Sequence, residues 1–284
     1  MSTRAVGETV SSQFCWEQIL RTNPLFRVSR VFAEGESAQQ LLPLYALFSA
    51  VEQSCAGVSD SEVGFRKLEW WREECLVRDV ADSDHPILKE FCRIGAADSL
   101  RFDALARLLL GAQARLDGAA PVDMHGLKDT CEAIGEAQLE LEAGVCGLRT
   151  ADLTPGLDGV AAQNGLAQLI REGGTWWLPL QLLARHGISR SEIRQDSGSD
   201  AVRALFGEVF SAARAWNSEP MHVRAPKAGD LSVLRHALVI NQLYARKLNR
   251  LEKIQPSAYR AELMAVGIPD LFTAWQTARR VSRR

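Results

Sequence analysis

The sequence predicts an all-α fold, and three observations lead to this prediction. Apolar residues recur with the 3.6-residue period of a helix through most of the 284-residue chain. Residues that typically start and end helices stand at the borders of these stretches. Strand-like alternation is nearly absent, and no hairpin turn joins two alternating runs. The chain therefore predicts a single all-α domain of roughly ten or more helices.

The first helices can be assigned in chain order from their end signals. Ser59 and Glu62 have the spacing of a capping box, ahead of an apolar face that begins at Val63. Pro86, directly after His85, suits the first turn of another helix. Longer amphipathic stretches follow at about 99–117, 122–147, 157–172, 198–218 and 230–254.

Shorter helices are predicted between these stretches. Gly187 after LLARH is typical of a helix C-terminus, and Ser189 with Glu192 repeats the capping-box spacing. Neither a repeat of fixed period nor a low-complexity tract interrupts the pattern. We expect a flexible N-terminus over residues 1–13 and one helical domain over residues 14–281.

Composition and charge exclude several classes of function. Lys and Arg total 33 against 35 Asp and Glu, so the net charge is −2 and there is no basic footprint for nucleic acid. No apolar run approaches the roughly 18 residues of a membrane span, and MSTRAVGETV lacks the apolar core of a signal peptide. The six cysteines form no CxxC pair, which favours a reducing compartment, and we expect a cytoplasmic protein.

Common catalytic motifs are also absent from the sequence. The five histidines form no HxxxH or HxxE pair, and no GxSxG, P-loop or GxGxxG motif occurs. The basic C-terminal run RRVSRR (279–284) is expected to be a solvated tail. Peripheral contact with an anionic membrane surface, or with a protein partner, is the alternative.

Six short stretches stand in the order and spacing of motifs from one family. They are LYALFSAVEQSC (44–55), LEWWREEC (68–75), HPIL (85–88), GLAQLIRE (165–172), GTWWLPLQLLARHGIS (174–189) and YARKLNRLEK (244–253). They resemble the motifs of squalene/phytoene synthases, beginning with the LYAFxRxxDDxxD helix. The resemblance covers roughly residues 14–255 and implies a single-domain, isoprenoid-synthase-like helical bundle around a central cavity. It also implies that the helices around 38–56 and 158–172 are neighbours at the centre.

The first family motif has lost most of its acidic residues in this chain. In the family, carboxylates on two facing helices hold a Mg²⁺ cluster that binds the substrate diphosphate and promotes its departure. The resemblance aligns the aspartate pair with Glu52 and Gln53, and the third aspartate with Ala56. Ser49 takes the place of the motif's arginine.

The second family motif departs in a similar way. Its Asn aligns with Gln168 and its Asp with Glu172, while Arg171 is kept. The chain then reaches the GTWWLP stretch too early for the remaining aspartates, and Thr175 replaces the arginine of that segment. Glu52 and Glu172 are too few for a three-ion Mg²⁺ cluster, so we expect no metal and no cofactor.

The resemblance also names residues expected around the central cavity. Tyr45 and Phe48 come from the first motif, Trp71 from the LEWWREEC helix, and Trp176 and Trp177 from the GTWWLP stretch. The last two are expected to fill the space where the family keeps its Arg and Tyr.

The two surviving glutamates have two interpretations. As helix-face carboxylates in local ion pairs, Glu52 and Glu172 would each tolerate alanine at a cost of roughly 0.5 kcal/mol or less. As metal ligands they would each be worth a thousandfold or more in rate. Arg171 is expected to form a structural pair that bridges two helices.

The departures suggest a protein without catalysis. A degenerate member of the family, the phytoene-synthase-like assembly factor of mitochondrial complex I, resembles this chain more closely, since Leu178–Pro179 and His186–Gly187 fit its FLP…HG segment. This resemblance implies a non-enzymatic assembly factor, or a protein that binds an isoprenoid, a lipid or a protein partner. The alternative is a divergent Mg²⁺-dependent prenyl-diphosphate transferase of isoprenoid biosynthesis, with head-to-head condensation at Glu52 and Glu172.

Overall fold

A computed structural model describes residues 9–33, 35, 37–56, 60–148, 158–195, 198–216 and 234–281 of the chain. Within these ranges the protein forms fourteen α-helices and no strand, so the predicted all-α fold is confirmed. In the same ranges, no helix combines the length and the apolar character that crossing a membrane requires.

The described ranges contain the following α-helices in chain order. They are α1 (Val10–Thr22), α2 (Phe26–Ser29), α3 (Ser37–Cys55), α4 (Ser61–Arg72), α5 (Pro86–Arg93), α6 (Phe102–Leu116), α7 (Met124–Val145), α8 (Asp158–Glu172), α9 (Leu180–His186), α10 (Arg190–Gln195), α11 (Asp200–Trp216), α12 (Arg235–Leu251), α13 (Tyr259–Met264) and α14 (Ile268–Val281). Short 3₁₀ turns lie at Arg30–Phe32, Val80–Asp82, Ala97–Ser99 and Pro256–Ala258, and a π-turn at Glu73–Val77 extends α4.

Three helix ends form as the sequence predicts. At the start of α10, the Ser189 amide donates to Glu192 Oε2 (2.7 Å) and the Glu192 amide donates to Ser189 Oγ (3.2 Å), which is a reciprocal capping box. Helix α5 starts at Pro86, and His85 Nδ1 accepts the amide hydrogen of Ile87. Gly187 ends α9 in the left-handed region, with φ of 63°.

Two expected boundaries need correction. Helix α4 is capped by Asp60, whose carboxylate accepts the Glu62 amide (2.9 Å), while the predicted cap Ser59 lies outside the described residues. Helix α1 begins at Val10 behind a Thr9 cap, so the last residues of the expected flexible N-terminus are helical. The outer ends of the predicted stretches 198–218 and 230–254 also lie outside the described residues.

Helix α3 lies at the centre of the fold. It packs against α1, α4, α5, α6, α7 and α8, and side chains on all of its sides are buried. A helix with apolar residues all round is stable only when other elements surround it, which accounts for the apolar stretch Leu41 to Val51, interrupted by Ser49. The first family motif is therefore carried by a helix that other helices enclose.

Helices α7 and α8 approach each other most closely, through a pair of glycines. A Cβ atom at Gly135 would overlap the Ala161 carbonyl, and one at Gly165 would overlap the Cys131 carbonyl. Glycine is required at both positions because backbone, which has little freedom to move, occupies the space that a side chain would fill. This contact holds α8, with the second family motif, against the rest of the bundle.

We expect Gly165→Ala to lower the free energy of unfolding by about 3 kcal/mol, because the added methyl group forces two packed helices apart. Urea unfolding followed by circular dichroism would measure the loss. The matched control is Gly207→Ala in α11, where a Cβ meets no atom within 4 Å and alanine should raise stability by about 0.5–1 kcal/mol. Equal shifts in the two variants would contradict the close approach.

Candidate functional site

The two family motifs meet at the centre of the bundle, as predicted. Helices α3 and α8 are in contact, and the Arg171 guanidinium of α8 lies 3.3 Å from Glu52 Oε2 of α3. Both side chains are buried. The expectation that Arg171 bridges two helices therefore describes its geometry, and its partner is Glu52.

A second buried ion pair lies beside the first. Arg115 of α6 places Nη2 3.2 Å from Glu172 Oε1 of α8, and both side chains are almost fully enclosed. Gln168 Nε2 also donates to Glu172 Oε1 (2.7 Å), and Gln138 Nε2 donates to Gln168 Oε1 (2.6 Å). The three polar residues of the second motif are thus all engaged by neighbouring side chains.

Arg115 is a site residue that the sequence interpretation missed. Its signal was nevertheless present, because Leu108, Ala112 and Arg115 follow one another at helical spacing on a buried face of α6. An arginine inside an apolar stripe requires a buried acidic partner, since an isolated buried charge is very costly. The pattern predicts a pair but does not identify the partner.

A third polar network fixes the neighbouring part of α3. Tyr45 Oη donates to Glu142 Oε2 (2.8 Å), and Glu142 Oε1 lies 2.8 Å from His236 Nδ1. Ser29 Oγ lies 2.9 Å from His236 Nε2. Burial, together with the Glu142 charge, raises the pKa of Tyr45 well above its usual value, so its hydroxyl remains a donor. These contacts tie α2, α3, α7 and α12 together.

The space left between these networks is very small. A cavity of about 20 Å³ remains, and Tyr45, Phe48, Glu52 and Arg171 are among the residues around it. This volume is enough for about one water molecule. Two nitrogens of Arg171, Nε and Nη1, have no hydrogen-bond partner in the described part of the protein. A water molecule bound there would accept hydrogen bonds from them.

The other predicted site residues lie elsewhere, which corrects the expected cavity lining. Trp177 is buried against Phe206 of α11, and the half-buried Trp176 precedes it in the same turn. Trp71 faces an outer groove between α1, α3 and α4, together with Gln53. None of these side chains belongs to the set around the small cavity. Trp177 is thus packed within the core, Trp71 lies at the outer groove, and neither lines the small cavity.

Burial dominates the ionisation of Glu52. Removal from water raises the pKa of this carboxyl to about 7, against the opposing effect of the Arg171 guanidinium. A neighbouring carboxylate, Glu172, raises it further. The centre therefore contains two carboxyls whose charges are compensated by two internal arginines.

The residues present do not fit a Mg²⁺ cluster. The ion requires near-octahedral oxygen coordination, but Glu52 and Glu172 each face a guanidinium, and Gln168 Oε1 already accepts from Gln138. The positive charges of Arg171 and Arg115, which lie beside these glutamates, would also repel a divalent cation. Over the ranges that the structure describes, no group of three or more His, Cys, Asp or Glu side chains is placed to hold a metal.

Comparison with known proteins identifies the class and then the family. The fold is similar to that of a dehydrosqualene synthase solved in complex with ligand, with a TM-score of 0.70, 13% sequence identity, and coverage of 96% of this chain and 95% of that one. It is also similar to squalene synthase HpnC from Alicyclobacillus acidocaldarius, with a TM-score of 0.62, 14% identity, and coverage of 86% and 95%. The protein thus has the all-α isoprenoid-synthase fold. The family model for squalene/phytoene synthase matches residues 24–265, and the chain belongs to that family. No curated protein matches it in sequence.

The burial of Glu52 changes the expected effect of its removal. As a helix-face carboxylate it would tolerate alanine, but Glu52→Ala leaves the Arg171 guanidinium enclosed without its partner. We expect this variant to lose about 3–5 kcal/mol of stability. The double variant Glu52→Ala/Arg171→Ala should lose less than the sum of the two single changes, as a double-mutant cycle by urea unfolding would measure.

The control for this cycle is an exposed pair on α4. Glu62 lies 3.4 Å from Arg66, with 73% and 78% of the two side chains exposed, so Glu62→Ala should change stability by about 0.5 kcal/mol or less. A Glu52→Ala loss as small as that of Glu62→Ala would contradict a buried, coupled pair.

Proposed function

We propose that this protein is a squalene/phytoene synthase family member without prenyltransferase activity, which acts by binding as an assembly or scaffold factor. One observation carries the proposal. The ion pairs Glu52–Arg171 and Glu172–Arg115 lie where the family motifs place the metal ligands. Internal arginines supply the positive charge that Mg²⁺ supplies in the family's chemistry.

The size of the central space supports the same proposal. Small-molecule sites usually enclose about 300–1,000 Å³, whereas the cavity at these motifs encloses about 20 Å³. A prenyl chain does not fit this volume unless the Glu52–Arg171 pair beside the cavity separates, and separating a buried pair is strongly unfavourable. The closure argues equally against an isoprenoid or lipid held at the centre, so such a ligand would have to bind elsewhere.

The assembly role is the more specific part of the proposal. It follows from the resemblance to the phytoene-synthase-like complex I assembly factor at Leu178–Pro179 and His186–Gly187. This segment is well fixed, because the Arg190 guanidinium donates to the Thr175, Trp176 and Leu178 carbonyls at 2.9–3.1 Å. Thr175 and Leu178 are buried, so the part of this segment that a protein partner could contact is the exposed side of the helix that follows, which includes Leu180.

The alternative, a divergent prenyl-diphosphate transferase, makes an opposite demand on the same residues. Glu52 and Glu172 would have to leave their arginines and bind Mg²⁺ together with a diphosphate. The two proposals therefore differ in one measurable property, which is metal-dependent binding of a prenyl diphosphate.

We expect calorimetric titration with Mg²⁺ and a non-hydrolysable farnesyl diphosphate analogue to show no metal-dependent binding tighter than about 1 mM. Incubation with farnesyl or geranylgeranyl diphosphate and Mg²⁺ should likewise release no diphosphate. A dehydrosqualene synthase assayed in parallel is the positive control. Micromolar, Mg²⁺-dependent binding that Glu52→Gln removes would overturn the proposal in favour of the transferase.

We also propose that α14 makes a peripheral contact with an anionic membrane surface. Ile268, Leu271, Phe272 and Trp275 follow the i, i+3, i+4, i+7 spacing of one helix face and are 45–83% exposed. The single acidic residue of α14, Asp270, is buried and paired with basic side chains of α12. The exposed face is thus apolar and free of acidic groups.

Basic residues follow this apolar face toward the end of α14. The Arg279 guanidinium lies 4.7 Å from the centre of the Trp275 ring, and Arg280 is its neighbour. Aromatic side chains beside arginines are typical of helices that lie at the lipid headgroup level. The combination favours a bilayer containing acidic lipids over a neutral one.

We expect the protein to float with vesicles containing 30% phosphatidylglycerol and to remain unbound with pure phosphatidylcholine, in a density-gradient assay. Phe272→Ser/Trp275→Ser should reduce the bound fraction at least fivefold, because it removes the apolar anchor. Leu110→Ser, which removes an equally exposed apolar side chain from α6, is the matched control. Vesicle binding that survives the double change, or a dimer in light scattering that the double change dissociates, would contradict the membrane contact.

A further inference from the structure

A groove of about 550 Å³ lies on the outer side of α3, away from the ion pairs. We call it the outer groove and define it by Phe14 and Gln18 of α1, Gln53 of α3, Lys67 and Trp70 of α4, and His85 before α5. Its volume is within the usual range for a site that holds one small molecule. Of the positions that the family motifs assign to metal ligands, only Gln53 lies in the outer groove, and its side chain is an amide instead of a carboxylate.

The apolar wall of the outer groove is a fixed aromatic cluster. The Trp70 and Trp71 rings meet edge to face with centroids 4.9 Å apart, and they contact the His85 ring at 5.2 and 4.8 Å. Phe14 meets the same imidazole edge-on at 5.7 Å. Trp70 is nevertheless 41% exposed, so a large aromatic surface remains open to a ligand.

His85 offers a hydrogen-bond donor within this wall. Its Nδ1 accepts the Ile87 amide hydrogen (3.2 Å), and burial lowers its pKa, so the neutral ring carries its hydrogen on Nε2. No described residue accepts that hydrogen. Gln53 Nε2 donates to Gln18 Oε1 (2.9 Å), which leaves the Gln18 amide hydrogens as further donors at the opposite wall.

The charge of the groove has one sign. Arg66 and Lys67 belong to its lining, and no aspartate or glutamate does. Arg66 shares its charge with the exposed Glu62, whereas Lys67 has no ion-pair partner in the part of the chain that the structure describes. Val63, Arg66, Lys67 and Trp70 share one outer face of α4, so the two cationic groups lie between an aliphatic and an aromatic side chain along a single wall.

We propose that the outer groove binds an anionic amphiphile, with its apolar chain against Trp70, Trp71 and Phe14 and its carboxylate or phosphate beside Lys67. An anion fits because both charged groups of the lining, Arg66 and Lys67, are cations, and because His85 and Gln18 offer hydrogen-bond donors. An apolar chain fits because the aromatic rings form most of the remaining wall. The site goes beyond the proposed non-enzymatic function and does not depend on it, since it uses neither the central carboxyls nor a metal.

The test uses three probes of equal chain length on the full chain, in the presence of EDTA and below micelle formation. Laurate and dodecyl phosphate carry the two anionic heads, and dodecanol is the uncharged control. By calorimetry, at least one anionic probe should bind with a dissociation constant below about 100 µM, and dodecanol at least tenfold more weakly. The anionic probe with the lower dissociation constant identifies whether the groove prefers a carboxylate or a phosphate.

Two variants locate the site. Lys67→Glu should weaken the anionic probes at least tenfold and leave dodecanol unchanged, while Trp70→Ser should weaken every probe at least fivefold. The matched controls are Lys253→Glu and Phe102→Ser, which change an exposed lysine and an exposed aromatic residue outside the groove. Circular dichroism would verify the fold of each variant.

Several outcomes would overturn the proposal. They are no binding of any probe up to 1 mM, equal affinity for dodecanol, and affinities that Lys67→Glu and Trp70→Ser leave unchanged. A dimer in sedimentation that Trp70→Ser dissociates would also overturn it, because the groove would then be covered by a second copy. Failure of these tests would leave the non-enzymatic proposal intact, since that depends on Mg²⁺ and diphosphate at the centre.

Discussion

The buried ion pair between Glu52 and Arg171 is the constraint on which the centre of this protein depends. A carboxylate removed from water is stable only with a partner of opposite charge, and the partner here comes from the chain itself. Arg115 does the same for Glu172. Once both carboxylates are compensated internally, the attraction that would draw a divalent cation to this place is lost. The enclosed charges then act as a structural connection between α3, α6 and α8.

The rest of the bundle is arranged so that these pairs stay closed. The contact of α7 and α8 through Gly135 and Gly165 determines how closely α8 lies against the bundle. The chain of hydrogen bonds from Tyr45 through Glu142 to His236 holds α3 from its other side. The polar side chains at the centre form ion pairs and hydrogen bonds with one another. The surfaces proposed for binding therefore lie on the outside of the bundle.

This chain shares its fold with a dehydrosqualene synthase although most of its residues differ. At 13% identity to a dehydrosqualene synthase, the helices still superpose over nearly the whole of both chains. Such retention is expected, because a helical bundle tolerates extensive substitution when volume and apolar patterning are preserved. Activity has no such tolerance, since it requires particular groups at particular distances. The outer groove and the exposed face of α14 both present apolar surface on the outside of the bundle.

The sequence by itself determined the all-α class, the capping box of Ser189 and Glu192, and the meeting of the two motif helices. The class and the capping box depend on local spacing and on apolar periodicity, which are properties of the sequence itself, whereas the meeting of the two helices was an implication of the family resemblance. Only the tertiary structure decided that Glu52 pairs with a residue 119 positions away, and that Trp71 faces outward from the central cavity. Neighbouring residues on a helix point about 100° apart, so a small rotation of the helix decides which of them faces the centre. That rotation is determined by packing among segments that are distant in the sequence, so it cannot be predicted from a local sequence pattern.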